Sequence, residues 1–357
     1  MVQVSALWPP FETPPAAAPR GEGFRFRPAT RLFAALAAAL LAPPAHANDS
    51  SAERALGGLT LTRSDAISMD SEDLYVSKER VRVTYKFTNR TDAPVETLVA
   101  FPLPDIPPAA ETGDVGNFWS DPKDGLKFRT TVDGAPADLQ VEQQAMFNGA
   151  DISSRLKTLG LPLNRYAEDF STRVNRLPAP ERQRLIADKL VADAGEANEK
   201  LWDGQWTLKT TITRRQTFPA QRSVTVQHEY APIVGGSVGG AFDRQWRGSQ
   251  DFAAKRRKFC IDEDFIASFD RMVAKRKGKL LPYSEIWLGY VLKTGANWAG
   301  PIADFRLVID KGAPGSLVSF CGEGVKKIAP TQFEIRKTNF SPKSDLDVLI
   351  VEFPEDG

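Results

Sequence analysis

Histidine and cysteine, the residue types with the most chemical leverage, are scarce. The 357-residue chain holds two of each: His46, His228, Cys260 and Cys321. Counting alone excludes a His-rich zinc site, a Cys/His finger and a haem-attachment motif. His228 lies in Ser223-Val-Thr-Val-Gln-His-Glu-Tyr230, which alternates like a strand and carries no nucleophile elbow. A lone histidine in such a segment serves hydrogen bonding more often than catalysis. The spacing of Cys260 and Cys321 fits neither a CxxC redox pair nor a metal site. In an oxidising compartment the two are expected to pair as one structural disulfide. In the chain-entropy account that bridge removes about 4 kcal/mol of unfolded-state entropy.

Carboxylates are plentiful, so paired-acid hydrolysis is the remaining catalytic chemistry to weigh. Trp202-Asp203-Gly204 and Phe320-Cys321-Gly322-Glu323 place acids beside aromatics and flexible backbone. A retaining glycosidase would need two such acids roughly 5–5.5 Å apart. Nothing in the order of residues makes Asp203 and Glu323 converge, and acids in turns and caps are commoner. Asp262-Glu263-Asp264 lacks the alternate spacing and glycine of a calcium loop. No catalytic residue, metal ligand or cofactor is therefore assigned. Trp206 and Trp287 sit in strand patterns and are expected in the core, whereas Trp298 lies in the loop Gly295-Ala-Asn-Trp-Ala-Gly300. Recognition groups collect on loops of rigid β scaffolds, which makes Trp298 the leading candidate for exposure, with Trp202, Asp203 and Glu323 beside it as candidate ligand-binding residues.

These residues must be positioned by a chain that reads as exported. Residues 32–42, LFAALAAALLA, follow Arg20, Arg25, Arg27 and Arg31 and precede Ala45-His46-Ala47. Basic flank, short apolar run and small residues at the cleavage position define a secretory signal peptide over 1–47, with a long n-region. Cleavage is expected between Ala47 and Asn48. The remaining 310 residues carry 42 basic and 43 acidic side chains. That balance argues against a dedicated nucleic-acid binder. No later run reaches the roughly 18 apolar residues of a membrane span, so no integral span is expected after cleavage. The expected location is the periplasm or the medium.

The periodicity then supplies the layers. Val81, Val83, Tyr85 and Phe87 alternate with polar residues, and short β-branched segments divided by turns fill 59–101 and 125–132. Segments 142–159 and 181–201, rich in Ala, Leu, Glu, Lys and Arg, read as helices of an insertion over 140–201. Strands resume at 205–217 and 223–230. The glycine-rich stretch 232–240 reads as a hinge, because it lacks the lysine and following helix of a phosphate loop. Asp262-Glu263-Asp264 opens one further helix, with Phe265, Ile266 and Phe269 on one side. Lys255-Arg-Arg-Lys258 reads as a solvated charge surface. Strands fill the rest. The expected fold is mainly β (α+β), with antiparallel sandwich-like layers divided as 48–139, 140–201, 202–240 and 241–357.

Asn48-Asp-Ser-Ser-Ala-Glu53, Gly57-Gly-Leu-Thr-Leu61, Ser71-Glu-Asp-Leu-Tyr-Val76 and Val99-Ala-Phe-Pro-Leu-Pro-Asp105 together resemble the bacterial family called domain of unknown function 4424. Gln216-Thr-Phe-Pro-Ala220, Thr294-Gly-Ala-Asn-Trp-Ala-Gly-Pro301 and Phe320-Cys-Gly-Glu-Gly-Val-Lys-Lys327 extend the resemblance over nearly the whole mature chain. It implies an exported, β-rich envelope protein and supplies no catalytic residues. Two functional classes follow. One is a binding or scaffolding module with an envelope partner, protein or glycan. The other is a carboxylate hydrolase of envelope glycans. Two acids converging in a cleft beside a tryptophan would favour the enzyme; scattered acids would favour the binding module.

Overall fold

The computed structural model describes residues 49–55, 58–108, 127–195, 200–239, 242–275 and 283–353. The signal peptide expected over 1–47 and the Ala47–Asn48 cleavage lie outside these residues. Alternation along the chain turns into buried faces as the sequence predicts. In β4 (Val81–Asn89) every second side chain is buried, from Val81 through Phe87. A six-stranded sheet runs β2 (Gly58–Thr62), β1 (Ser50–Ala55), β5 (Val95–Pro102), β12 (Thr207–Phe218), β8 (Gln140–Phe147), β9 (Ala150–Asp151). An eight-stranded sheet runs β18 (Lys326–Lys327), β19 (Gln332–Phe340), β16 (Ile302–Asp310), β3 (Ile67–Val76), β4, β13 (Ser223–Tyr230), β6 (Arg129–Val132), β7 (Ala135–Pro136). A four-stranded sheet runs β14 (Val234–Val238), β15 (Ser284–Tyr290), β20 (Leu346–Glu352), β17 (Leu317–Phe320). Among the described strands all pairings are antiparallel except β3 with β16. Phe101, Ile212, Tyr85, Phe87, Tyr290 and Ile350 bring all three sheets into one apolar core. Burying each such side chain contributes roughly 1.5–3 kcal/mol.

The insertion departs from its sequence reading. Residues 142–147, expected to be helical, form most of β8 and pair with β12 from Gln140↔Thr213 to Met146↔Thr207. Propensity is a weak prior, and Glu, Gln and Ala lose to the backbone bonds and burial that β12 offers. The overlooked signal is Asn148-Gly149. Both residues take positive φ, 48° and 80°, as a two-residue hairpin turn requires, and they join β8 to β9. Helix survives only as α1 (Ser153–Thr158). The expected helix 181–201 is α3 (Ala179–Ala187), preceded by α2 (Phe170–Arg176) and followed by β10 (Val191–Asp193), which pairs with β11 (Trp202–Gly204). These pieces enclose a second core containing Leu156, Phe170, Leu185, Leu190 and Trp206.

The glycine stretch is not a hinge. Residues 234–238 are β14, paired to β15 in register Val234↔Leu288 to Val238↔Ser284. A Cβ on Gly236 would stand 2.5 Å from the Glu285 carbonyl oxygen, so glycine is required for the strands to meet. The acid-opened helix is α5 (Glu263–Lys275), burying Phe265, Ile266 and Phe269. A second helix, α4 (Gln250–Phe259), precedes it. Ser249 caps its start by accepting from the Phe252 amide, and Cys260 ends it at φ 51°. Of the basic run, Arg257 and Lys258 are exposed as a solvated surface should be, whereas Lys255 turns inward to the buried Glu285.

Cys260 and Cys321 are disulfide-bonded with a Cα–Cα distance of 5.0 Å across a separation of 61 residues. The bridge ties the α4–α5 corner to the end of β17. A C260S/C321S variant is expected to lose about 4 kcal/mol of stability, and reductant should bring the parent down to the same level. Urea denaturation with and without reductant reads this; a reduced parent as stable as the oxidised one would show that the bridge constrains nothing.

Candidate functional site

The histidine comes first, because its neighbours form a catalytic-looking chain. Alternation on β13 turns His228 inward, opposite Val83 of β4 and Thr130 of β6. Thr130 Oγ1 lies 2.7 Å from Nδ1, and Asp49 Oδ2 lies 3.2 Å from Nε2. Arg214 of β12 grips Asp49 with Nη1 at 3.2 Å and Nη2 at 2.8 Å. Burial by itself raises an aspartic acid's pKa. Here the charge of Arg214 and the contacts from His228 outweigh it and hold Asp49 ionised well below the usual carboxylate range. Burial pushes the His228 pKa down against the pull of Asp49, so the ring stays neutral. Neutral imidazole then carries its proton on Nε2, toward Asp49, and accepts the Thr130 hydroxyl at Nδ1. Hydroxyl, imidazole and carboxylate stand in the order of a nucleophile relay. Yet Thr130, His228 and Asp49 are 4%, 1% and 0% exposed, so no substrate reaches them. The chain is structural.

Trp298 belongs to the same cluster and corrects the expectation that it is exposed. It is 0% exposed; its Nε1 donates to the Asp49 carbonyl at 2.6 Å and its ring lies 4.7 Å from that of Phe87. The loop around it is held rather than free. Ala299 N donates to Ile67 O, and Asn297 Nδ2 donates to Ser50 Oγ. A buried indole needs an acceptor for its N–H, and the backbone beside Asp49 supplies it.

The expected acids do not meet. Trp202 is buried in the insertion and donates from Nε1 to Asn175 Oδ1 at 2.6 Å. Asp203 lies 3.4 Å from Arg165, and burial raises its pKa despite that cation. Glu323, its side chain 94% exposed, touches Lys337 Nζ at 3.3 Å after β17. The two acids share no partner.

Other acids do converge. A cleft of about 490 Å³ opens between the loop after β5, strands β14 and β15, the end of α4 and the start of β20. Asp105, Asp345 and Asp347 line it together with Trp287, Phe259, Tyr290 and the glycines 235 and 289. Each carboxylate has its own ammonium: Lys209 at 3.4 Å from Asp105, Lys293 at 3.3 Å from Asp345 and Lys258 at 3.6 Å from Asp347. Asp345 also accepts from the amides of Leu292 and Lys293 through Oδ1. Burial raises the pKa of Asp105 and Asp347 above the ordinary value, their lysines pull it down, and the like charge of Asp345 pushes both up further. Trp287 is fixed from behind. Its Nε1 donates to Glu285 Oε2 at 3.2 Å; Lys255, which contacts the same oxygen, sits 4.9 Å from the ring centroid. Gly235 leaves room for the indole, since a Cβ there would stand 3.2 Å from it. Among the described residues no group of His, Cys, Asp and Glu is arranged to hold a metal ion. Nor is any described helix long and apolar enough to cross a membrane.

The cleft residues had a partial signature in the sequence. Asp345-Leu346-Asp347 has the i, i+2 spacing that puts two acids on one face of a strand. Asp105 stands among prolines that end β5. Nothing local announces that these two places meet.

The family described as Domain of unknown function (DUF4424) matches residues 47–349. No curated protein matches the sequence. Among solved structures, the chain is similar to a crystal structure from Legionella pneumophila subsp. pneumophila str. Philadelphia 1, described as a candidate nutrient binding protein. The two are 13% identical with a TM-score of 0.42, over 86% of this chain and 70% of that one.

The buried charge cluster carries a pH signature. Asp49 and His228 both have depressed folded-state values, so each contributes stability above its unfolded pKa and loses it as pH falls. The His228 contribution should begin to fade below about 6.5 and that of Asp49 below about 3.8, their ordinary values. Replacing the carboxylate (Asp49→Asn) leaves Arg214 buried and uncompensated and should cost about 3–5 kcal/mol at neutral pH. Urea midpoints across pH 3–8 test this; an Asp49→Asn protein as stable as the parent would remove the cluster from the account.

Proposed function

The chain belongs to the family of Domain of unknown function (DUF4424), and we propose that it acts as an exported, non-catalytic binding module of the cell envelope. Its ligand would occupy the cleft between Trp287 and the three aspartates. One observation carries the reading. Each aspartate lining an open cavity of about 490 Å³ is ion-paired, Asp347 to Lys258 within the lining and Asp105 and Asp345 to Lys209 and Lys293 outside it, while the relay that resembles catalytic machinery is sealed. Ligand sites are concave, largely apolar and furnished with a few convergent polar groups, and this cleft has that make-up. Export rests on the leader 1–47 and agrees with the single disulfide.

A carboxylate hydrolase of envelope glycans is the second reading, and it moves from Asp203 and Glu323 to Asp105 and Asp347. The observation in its favour is that burial raises both of these acids beside Trp287. Their lysines weigh against it, because an ion-paired carboxylate is a poor proton donor and a poor nucleophile.

Three measurements test the proposal. Protein recovered from the periplasm should begin at Asn48; recovery of the intact chain from the cytosol, with both cysteines as free thiols, would defeat the export reading. Immobilised mature protein should retain an envelope component that an Asp347→Asn variant retains at least ten times less. Release of reducing ends from envelope glycan by the parent, and by neither Asp105→Asn nor Asp347→Asn, would replace the binding reading with the hydrolytic one.

A further inference from the structure

Resting on that cleft reading, we infer that the ligand class is an uncharged polyhydroxylated molecule, a unit of one or two sugar rings. The argument starts from charge. The carboxylates of Asp105, Asp345 and Asp347 are matched one for one by the ammoniums of Lys209, Lys293 and Lys258. Lys258 lines the cleft and the other two lysines stand within 3.4 Å of their carboxylates, so the charge left to attract a polyamine, a polyanion or a divalent cation is small. An ionic ligand would satisfy one member of each pair and strip the other of its partner, which is costly in a partly desolvated site.

A hydroxyl behaves differently, because it donates and accepts at once. Asp105 engages Lys209 through Oδ2 and Asp347 engages Lys258 through Oδ1. The second oxygen of each carboxylate has no partner among the described residues. The ammonium and carboxylate of each pair stand about 3.4–3.6 Å apart. Adjacent ring hydroxyls can therefore bridge the Asp347–Lys258 pair, both members of which line the cleft, one donating to the free oxygen and the other accepting from the lysine. A peptide group is less suited, since its N–H and C=O lie in one plane and point in opposite directions. Trp287 supplies the apolar surface on which the C–H face of a sugar ring stacks, and its orientation is set in advance by Glu285 and Lys255. A cavity of about 490 Å³ suits one or two rings.

Gly289, the cross-strand partner of Asp347, provides a way to close the site without removing any of its polar groups. Its φ lies outside the left-handed region, and a Cβ there would reach Pro104 across the cleft at 3.5 Å, an ordinary contact. Valine also suits a strand position. Gly289→Val should thus obstruct the space between β15 and the loop after β5, its γ-methyls reaching beyond that contact toward Pro104 and Asp347.

The test is isothermal titration of the full mature chain with glucose, maltose, N-acetylglucosamine and chitobiose, and in parallel with spermidine, citrate and trialanine. The expected result is binding of at least one saccharide, weakened tenfold or more by Asp347→Asn and abolished by Gly289→Val, both variants melting like the parent. Binding of spermidine, citrate or trialanine in place of any saccharide, with the same sensitivity to the two variants, would overturn the ligand class and leave the cleft reading standing. A saccharide bound equally by parent and Gly289→Val would overturn both. No heat with any saccharide would overturn the inference of class.

Discussion

Asp49 reaches Arg214 of one sheet and His228 of another, with Trp298 on its backbone carbonyl and no surface of its own left to water. Four separate stretches of chain are committed at that point. An ion pair withdrawn so far from solvent gains little over a well-packed apolar substitute, but losing one member is severe. Its structural meaning is therefore one of register. A slip of one residue along β12 would turn Arg214 to the other face, and the same slip along β13 would expel His228. The first would strand the Asp49 charge in the core, and the second would take from it the imidazole contact. The buried apolar faces already disfavour a one-residue slip, and the cluster adds to that penalty at the point where the two sheets meet.

The same network reaches the cleft. Tyr85, which packs edge-on against His228, shares a hydroxyl contact of 2.9 Å with Tyr290, and Tyr290 lines the cavity. Glu72 stands 3.5 Å behind the Tyr290 hydroxyl. The floor of the open site is thus the far end of the sealed one. This arrangement separates two roles that residue types alone confuse. Threonine, histidine and aspartate make a relay only where a substrate can arrive; enclosed on all sides they are an internal brace. Aspartates paired with lysines look inert on paper, yet they are the charged groups that a ligand could touch.

Much of the sheet architecture was legible from alternation, because one buried face per strand leaves a period of two that survives without any knowledge of the partner. The acid-to-base gradient of α5 and the pairing of Cys260 with Cys321 were legible for equally local reasons. Residues 142–147 were not. Their composition favours helix, and only the neighbouring strand β12, more than sixty residues later in the chain, makes extension the better state. Asn148-Gly149 carried the correction and was passed over. Trp298 failed in the opposite way: glycines around it suggest an exposed loop, whereas the loop is tied down by bonds to Ile67 and Ser50 that no local pattern reveals. The cleft was least legible of all. Asp105 and Asp347 meet only because β5 ends in prolines near the place where β20 begins, which is a fact of topology.

The parallel pairing of β3 with β16 has a consequence for how the molecule comes to exist. Tyr75 donates to Asp310 across a separation of 235 residues, so one flank of β3 stays bare until the distal part of the polypeptide has emerged. Its other flank is filled at once by β4, the next strand along the chain. A nascent chain therefore carries a half-finished apolar sheet with an open edge for most of its synthesis. Such long-range closure makes folding slow and late. Shortening the chain before β16 would leave that edge permanently unfinished and prone to aggregate.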